Sequence, residues 1–467
     1  MSFPTYPAYK DSGVKWLGEV PSHWHIFSLK RSVDGCKNGI WGNEPDGEND
    51  VAVIRVADFE RNNLRVGLGK LTYRSVTPNE YSSRALQEGD LLIEKSGGGE
   101  KTLVGCVVLF THEFKAVTSN FVARMRPLEH FDSKYLCYCF DSLYQGRVNY
   151  SAIKQTTGIQ NLDSEAYLQE RFCFPGVNEQ THIARFLDHE TAKIDALIRE
   201  QERLIELLQE KRQAVISHAV TKGLDPNVPM KDSGVEWLGE VPAHWVVAGF
   251  KKHLEPIVDY RGKTPTKTDS GAFLVTARNI KDGVINYSLS QEFIPESDYE
   301  GVMRRGAPRI GDVLFTTEAP LGEVAQVDDE TIALAQRIIK FRGLPGVIDN
   351  SYLKLFLESA PFQNGLMIFA TGSTALGIKS DRLGYLRQLV PPFVEQQEIV
   401  KLVTQKVKKY KQLIASVKEA IALMRERRSA LIAAAVTGKI DVRNWQPPSD
   451  ESAFDEEVRQ AGMETTA

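Results

Sequence analysis

A chain of 467 residues, 42% of them hydrophobic, is long enough for roughly two to four ordinary domains, each with its own core. No apolar run reaches the roughly 18 residues of a membrane-spanning helix, the opening MSFPTYPAYKDSG lacks a signal-type apolar region, and the five cysteines form no CxxC pair. These features argue against a membrane protein, an exported disulfide framework and a cysteine zinc site, and the net charge of −4 excludes a uniformly basic surface.

The first element in chain order is a repeat. Residues 10–24 read KDSGVKWLGEVPSHW, and residues 231–245 read KDSGVEWLGEVPAHW. The copies differ only at Lys15/Glu236 and Ser22/Ala243 and lie 221 positions apart. A repeat this long governs the reading of everything else. Taken alone, it reads as a packing segment without chemistry, and it defines an N-terminal unit at 1–25.

Residues 26–176 follow, with a β-rich texture. Short apolar runs at Val51–Val56, Asp90–Ile93 and Val104–Phe110 are punctuated by Gly, Pro, Asn and Asp. From 177 to 222 the texture changes. There is no Pro or Gly between Asn178 and Lys222, and apolar residues fall at Ile183, Leu187, Ile194, Ile198, Ile205, Leu208, Val215 and Ala219. This spacing predicts one long helix, stopped by Gly223.

Residues 223–246 carry the second copy of the repeat as a linker. A second β-rich region spans 247–392, with runs at Phe273–Ala277 and Asp312–Phe315. Gly89-Asp90 and Gly311-Asp312 open comparable strands, so the two regions read as one fold with divergent surfaces. A second long helix is predicted over 393–438, with its stripe at Ile399, Val403, Tyr410, Ile414, Val417, Ile421, Met424, Leu431 and Ala435. Its steps of three and four give the 3.5-residue period of a coiled-coil seam. Forty-five residues at about 1.5 Å each would make a rod of roughly 65 Å. The matching stripes predict that the two helices pack on each other; the alternative is that each lies on its own domain. The acidic tail within 439–467 holds six acids and one Arg beyond residue 448 and reads as disordered.

The helices repeat as well. PGVNEQTHI at 175–183 and PPFVEQQEI at 391–399 share Pro, Glu, Gln and Ile at an offset of 216, as do Glu210, Arg212, Ala214 and Ile216 with Glu426, Arg428, Ala430 and Ile432. The expected fold is therefore α+β: two mixed α/β domains separated by two long antiparallel helices in a coiled coil, related by an internal pseudo-two-fold.

Catalytic motifs are missing from the sequence. Ser96–Thr102 (SGGGEKT) resembles a phosphate loop, but Glu100 stands where the loop needs Gly, and an acid there repels phosphate. Asp90, Glu94 and Lys95 resemble a metal-nuclease cluster, but the second copy has Thr316 and Thr317 in place of the last two, so they read as a strand end. The nine His are scattered without ligand spacing, and no glycine-rich cofactor turn or methyltransferase loop is present. The chain reads as a non-enzyme that holds no cofactor or metal of its own.

The basic and aromatic patterning is more informative. Tyr260, Arg261, Lys263, Thr264, Thr266 and Lys267 combine cations, hydroxyls and a ring within a short stretch, and Arg278, Asn279 and Lys281 follow a predicted strand. Lys and Arg neutralise phosphates, and Arg and Thr read base edges. Lys37, Asn38, Trp41, Arg55 and Arg61 are looser counterparts in the first region, with Lys95 and Lys101 in the glycine-rich loop. For any one residue a solvated surface role is as good a reading; as a set they point to DNA.

Together, GVKWLGEVPSHW and its copy, PPxxEQxxI at 391–399 with its twin at 175–183, and two long helices separating two divergent regions resemble the specificity subunits of type I restriction–modification systems. The resemblance covers nearly the whole chain; the acidic tail departs from it. It implies that residues 26–176 and 247–392 are target recognition domains, each reading one half of an asymmetric bipartite site in double-stranded DNA. It implies that the helices set the unread gap. It also implies two modification subunits as partners, which carry S-adenosylmethionine and methylate adenine N6, and restriction subunits that add ATP- and Mg-dependent cleavage. The odd number of cysteines without CxxC pairs argues for reduced thiols and a cytoplasmic location. The competing reading is a coiled-coil scaffold or inhibitor that binds the same partners without reading DNA.

Overall fold

A computed structural model of the chain describes residues 3–98, 102–156, 158–260, 265–372 and 376–447. The acidic tail beyond 447 lies outside the described residues, as do Lys101, Arg261, Lys263 and Thr264. Four helices frame the fold: α1 (Ser133–Gln145), α2 (Val177–Lys222), α3 (Asn350–Glu358) and α4 (Phe393–Val436). The chain divides into two compact units, Met1–Gln201 with Glu419–Ala467, and Glu202–Lys418. Each unit therefore takes one end of each long helix.

The first unit is built on a six-stranded sheet. Its order is Lys37–Asn38, Val122–Met125, Leu91–Glu94, Val107–Leu109, Arg65–Val66, Phe59–Glu60. A smaller sheet pairs Asp50–Ile54 with Ala116–Thr118 in parallel and with Thr72–Ser75 antiparallel. The apolar run at 51–54 is buried on both faces, which is why it reads as a continuous stretch rather than an alternation. Asp132 caps α1 by accepting the Tyr135 N–H.

The second unit repeats this plan with fewer strands in its main sheet. Val258–Asp259, Ile338–Phe341, Val313–Thr317 and Leu321–Gln326 form one sheet, and Ala272–Val275 pairs in parallel with Ala333–Leu334 in another. Asp349 caps α3 by accepting the N–H groups of Ser351 and Tyr352. The shared plan extends to individual bonds. Arg126 makes a two-pronged pair with buried Asp90 at 2.7 and 2.8 Å, and Arg342 makes the same pair with Asp312 at 2.5 and 2.6 Å.

In both units the long helices run antiparallel and share a core with the sheet domain. Ile183, Phe186 and Leu187 of α2 cluster with Ile432, Ala435 and Val436 of α4 in the first unit. Ile216, Ala219 and Val220 of α2 cluster with Ile399 and Val403 of α4 in the second. The two alternatives for the apolar stripe are thus combined at each end: the helices meet each other and the domain at once. Every position of both predicted stripes is buried or half-buried. Gly438 takes φ +71°, and a Cβ there would fall 2.3 Å from Pro21, so the helix ends where only glycine fits against the repeat segment.

The repeat is a joint. Trp24 Nε1 donates to Glu179 Oε1 at 3.1 Å, and His23 Nε2 lies 2.9 Å from Glu179 Oε2. Trp245 and His244 make the same two contacts with Glu395, at the same distances. Gln180 accepts the Asp132 N–H and donates to the Pro175 carbonyl, and Gln396 does the same with Asp349 and Pro391. The Glu-Gln pair of each helix start therefore locks one repeat segment and one domain helix to that start. Each Trp is fully buried, and an indole N–H placed there needs an acceptor.

Candidate nucleic-acid interface

In the first unit the structure brings together three of the residues singled out in the sequence. Lys37 and Asn38 form the exposed edge strand of the large sheet, and Lys95 Nζ donates to Asn38 Oδ1 at 2.7 Å. The Lys95 N–H bonds the Phe121 carbonyl, and the Phe121 side chain is exposed. Trp41 is partly exposed a few residues on, with the Arg74 guanidinium 4.9 Å over its ring. Arg74 is itself paired with Glu44, which leaves the lysine amines of the edge, with the exposed rings of the same region, to suit a polyanion with stackable bases.

Arg55 and Arg61 are held differently. Arg55 donates to both oxygens of Asp58, at 3.2 and 2.8 Å, as the cap of a short turn. Arg61 lies 2.7 Å from Glu94, whose carboxyl is buried; burial pushes that carboxyl up, against the pull of Arg61. Beside them, burial raises the Cys106 thiol to about 12, so it stays protonated and unreactive. This cluster spends its charge inside the domain.

In the second unit Arg278 and Lys281 are exposed on a turn and the short strand after it, and Thr266 is exposed as well. Lys267 is exposed but paired with Glu292 at 2.6 Å. Tyr260 and Asn279 face inward. The Tyr260 hydroxyl donates to the Gly306 carbonyl. Asn279 accepts from Thr276 N–H at 2.9 Å and donates to the carbonyls of Asn286 and Ser290, so it fastens the turn that displays Arg278.

No family model matches the chain. Among curated proteins, it is 23% identical to the type I restriction enzyme MjaVIII specificity subunit of Methanocaldococcus jannaschii, over 93% of this chain and 98% of that one. It is 22% identical to the type I restriction enzyme EcoKI specificity subunit of Escherichia coli K12, over 92% and 91%. A solved chain from work on assembly and conformational transition of the type I R-M system superposes with a TM-score of 0.66, at 14% identity, over 89% of this chain and 98% of that one. The chain resembles type I restriction specificity subunits along its length.

Against that resemblance, several residues that sequence reasoning passed over stand out. Arg74 covers the Trp41 ring while paired with Glu44, and Phe121 is exposed on the chain that bonds Lys95. Arg304, Arg305 and Arg309 sit on the exposed loop that the Tyr260 hydroxyl fastens through Gly306. The twin Arg before Gly306 was the available signal. Among the described residues no three His, Cys, Asp or Glu side chains gather in a way that could hold a metal ion, and no helix is long and apolar enough to cross a membrane.

Proposed function

We propose that the chain is the DNA sequence-specificity subunit of a type I restriction–modification complex and is not itself catalytic. Residues 26–176 and 247–392 act as target recognition domains, each reading one half of an asymmetric, gapped site. The Lys37/Asn38/Lys95 edge with Trp41 and Phe121 serves the first domain, and Arg278, Lys281 and the Arg304–Arg309 loop serve the second. The antiparallel helices set the unread gap. The joints formed by the two repeat segments offer matched seats for two modification subunits, which bring S-adenosylmethionine and recruit the restriction subunits.

The observation that carries this reading is the contrast within the repeat. The Trp and His contacts to Glu179 and Glu395 match in atom and distance, with Tyr6 adding a third bond to Glu179 alone, while the exposed cations of the two domains do not correspond. A duplicated frame bearing two different polar faces is what reading two different half-sites requires. Single-molecule methylome sequencing tests it, in cells expressing the chain with its modification subunit and in cells lacking it. The expected result is N6-methyladenine at one asymmetric, gapped sequence. An assembled complex that adds no modified motif would overturn the reading in favour of a scaffold.

A further inference from the structure

In the first unit the junction between helices and domain closes on an ion pair. Arg428 Nε of α4 lies 3.0 Å from Asp195 Oδ1 of α2, both side chains mostly buried. Beside it the Tyr138 hydroxyl of α1 donates to Asp188 at 2.8 Å and lies 3.4 Å from Thr191 Oγ1. The 216-residue offset of the helices gives the counterparts in the second unit: Arg212 for Arg428, Lys411 for Asp195, Thr404 for Asp188 and Val407 for Thr191. The domain helices align at 217, through Asp132/Asp349 and Tyr135/Tyr352, which sets Leu355 opposite Tyr138 and Lys354 opposite Cys137.

Each of these replacements removes something that filled or neutralised the junction. The carboxylate becomes an ammonium, the phenol becomes an aliphatic chain, and a thiol becomes a second ammonium. The result is a cleft of about 760 Å³ lined by Arg212, Lys354, Lys408 and Lys411, with Gln213 and Gln412. That volume lies in the range of small-molecule sites, roughly 300–1,000 Å³.

Three carboxylates also reach this cleft. Glu358 is taken up by Lys354 at 3.2 Å. Asp282 meets Lys411 through its backbone carbonyl, at 3.2 Å. Burial pushes the Glu323 carboxyl up, with Asp282 adding to the effect. The Arg212 Nε is buried and has no hydrogen-bond partner among the described residues. A buried guanidinium N–H without an acceptor is costly, and in the other unit the same N–H has one.

We propose that the cleft binds a phosphate-bearing anion, seated between Arg212 and Lys411 where the first unit supplies the Asp195 carboxylate from within. A guanidinium flanked by ammonium groups suits a phosphate dianion better than a single carboxylate. The phosphate comes either free, as a small diphosphate-class ligand, or from a nucleic-acid backbone. The inference does not depend on the recognition reading, because the free-ligand arm requires no DNA.

The test uses the full chain and two variants, Lys411→Asp, which recreates the ion pair of the first unit, and Arg212→Gln. Inorganic diphosphate binding is followed by calorimetry, and duplex DNA binding by its salt dependence. Wild type should bind diphosphate, and both variants should bind it at least about tenfold more weakly. Lys411→Asp should also melt at a higher temperature than wild type without ligand. Diphosphate binding lost in both variants with an unchanged DNA salt slope identifies the free ligand. A salt slope reduced by about one in both variants identifies the backbone phosphate. Equal diphosphate binding by all three proteins with unchanged salt slopes, or no diphosphate binding by wild type with unchanged slopes, overturns the proposal.

Discussion

The two ends of the helix pair follow one plan at their Trp–Glu contacts and depart from it at the junction beside them. At the Trp–Glu joints, Trp24–Glu179 and Trp245–Glu395 match in partner, atom and distance. A few turns along the same helices, Arg428 finds Asp195, while its counterpart Arg212 faces Lys411. A buried indole N–H has few alternative acceptors, so the joint tolerates little change. The junction lies nearer solvent, where a charge reversal leaves both helices intact and opens a cleft between them. Duplication supplied two copies of a frame, and the frame held only where burial penalised drift.

The largest effect expected is at the joints. Trp24→Ala and Trp245→Ala should each destabilise their own unit by about 3–5 kcal/mol, the usual cost of emptying a buried aromatic site. Thermal unfolding with hydrogen exchange resolves the two units, and a loss in one unit twice that in the other would break the equivalence of the joints. The junctions should behave oppositely. Arg428→Ala strands a mostly buried Asp195 and should cost about 1–3 kcal/mol, whereas Arg212→Ala relieves repulsion and should be neutral or stabilising. If the two arginine variants lost equal stability, the second junction would have to hold a counter-charge equivalent to Asp195.

Most of the frame was legible in the sequence, and for a physical reason. Two Trp, a Gly-Glu-Val-Pro turn and a Glu-Gln helix start recur at fixed offsets because each makes a contact that nothing else replaces. The helix stripes were legible because burial follows the 3.5-residue period along their length. The polar face was less legible, since charge shows in a sequence but its partner does not. Arg55 was readable in principle, with Asp58 three residues on. Arg61 was not, because Glu94 reaches it from another strand. Asn279 looked like a base reader and serves as the lock of a turn. The open junction was within reach of the alignment: placing Asp195 over Lys411 shows the reversal before any fold is known.

The two domain faces can be separated by the same logic. Lys37→Ala with Lys95→Ala should lower the DNA salt slope by up to about two, and whatever sequence preference is relaxed should lie in the first half-site only. Arg278→Ala with Lys281→Ala should do the same for the second. Binding across randomised half-sites checks this, and a variant that relaxed both halves together would contradict two independent readers.

The smallest effect expected is a pH dependence confined to the open junction. Partial burial, then Lys354 and Arg212, push the Lys411 ammonium below its ordinary value, with Glu358 and Asp282 opposing. Lys408 lines the same cleft. A lysine whose folded value is depressed loses its proton in the native state first. Between that value and the unfolded one near about 10.4, the unfolded chain therefore holds more protons, and stability rises with pH. The strain from the charged Lys411 is fully present below its folded value and fades above it. Lys411→Met, which never carries that charge, should be more stable than wild type near neutrality, and the gap should narrow as pH is raised toward the ordinary lysine range. Melting curves of the two proteins across that range decide the matter. A gap that stays constant would mean that Lys411 keeps its proton as readily in the cleft as in the unfolded chain, and that the repulsion from Arg212 is already relieved by solvent.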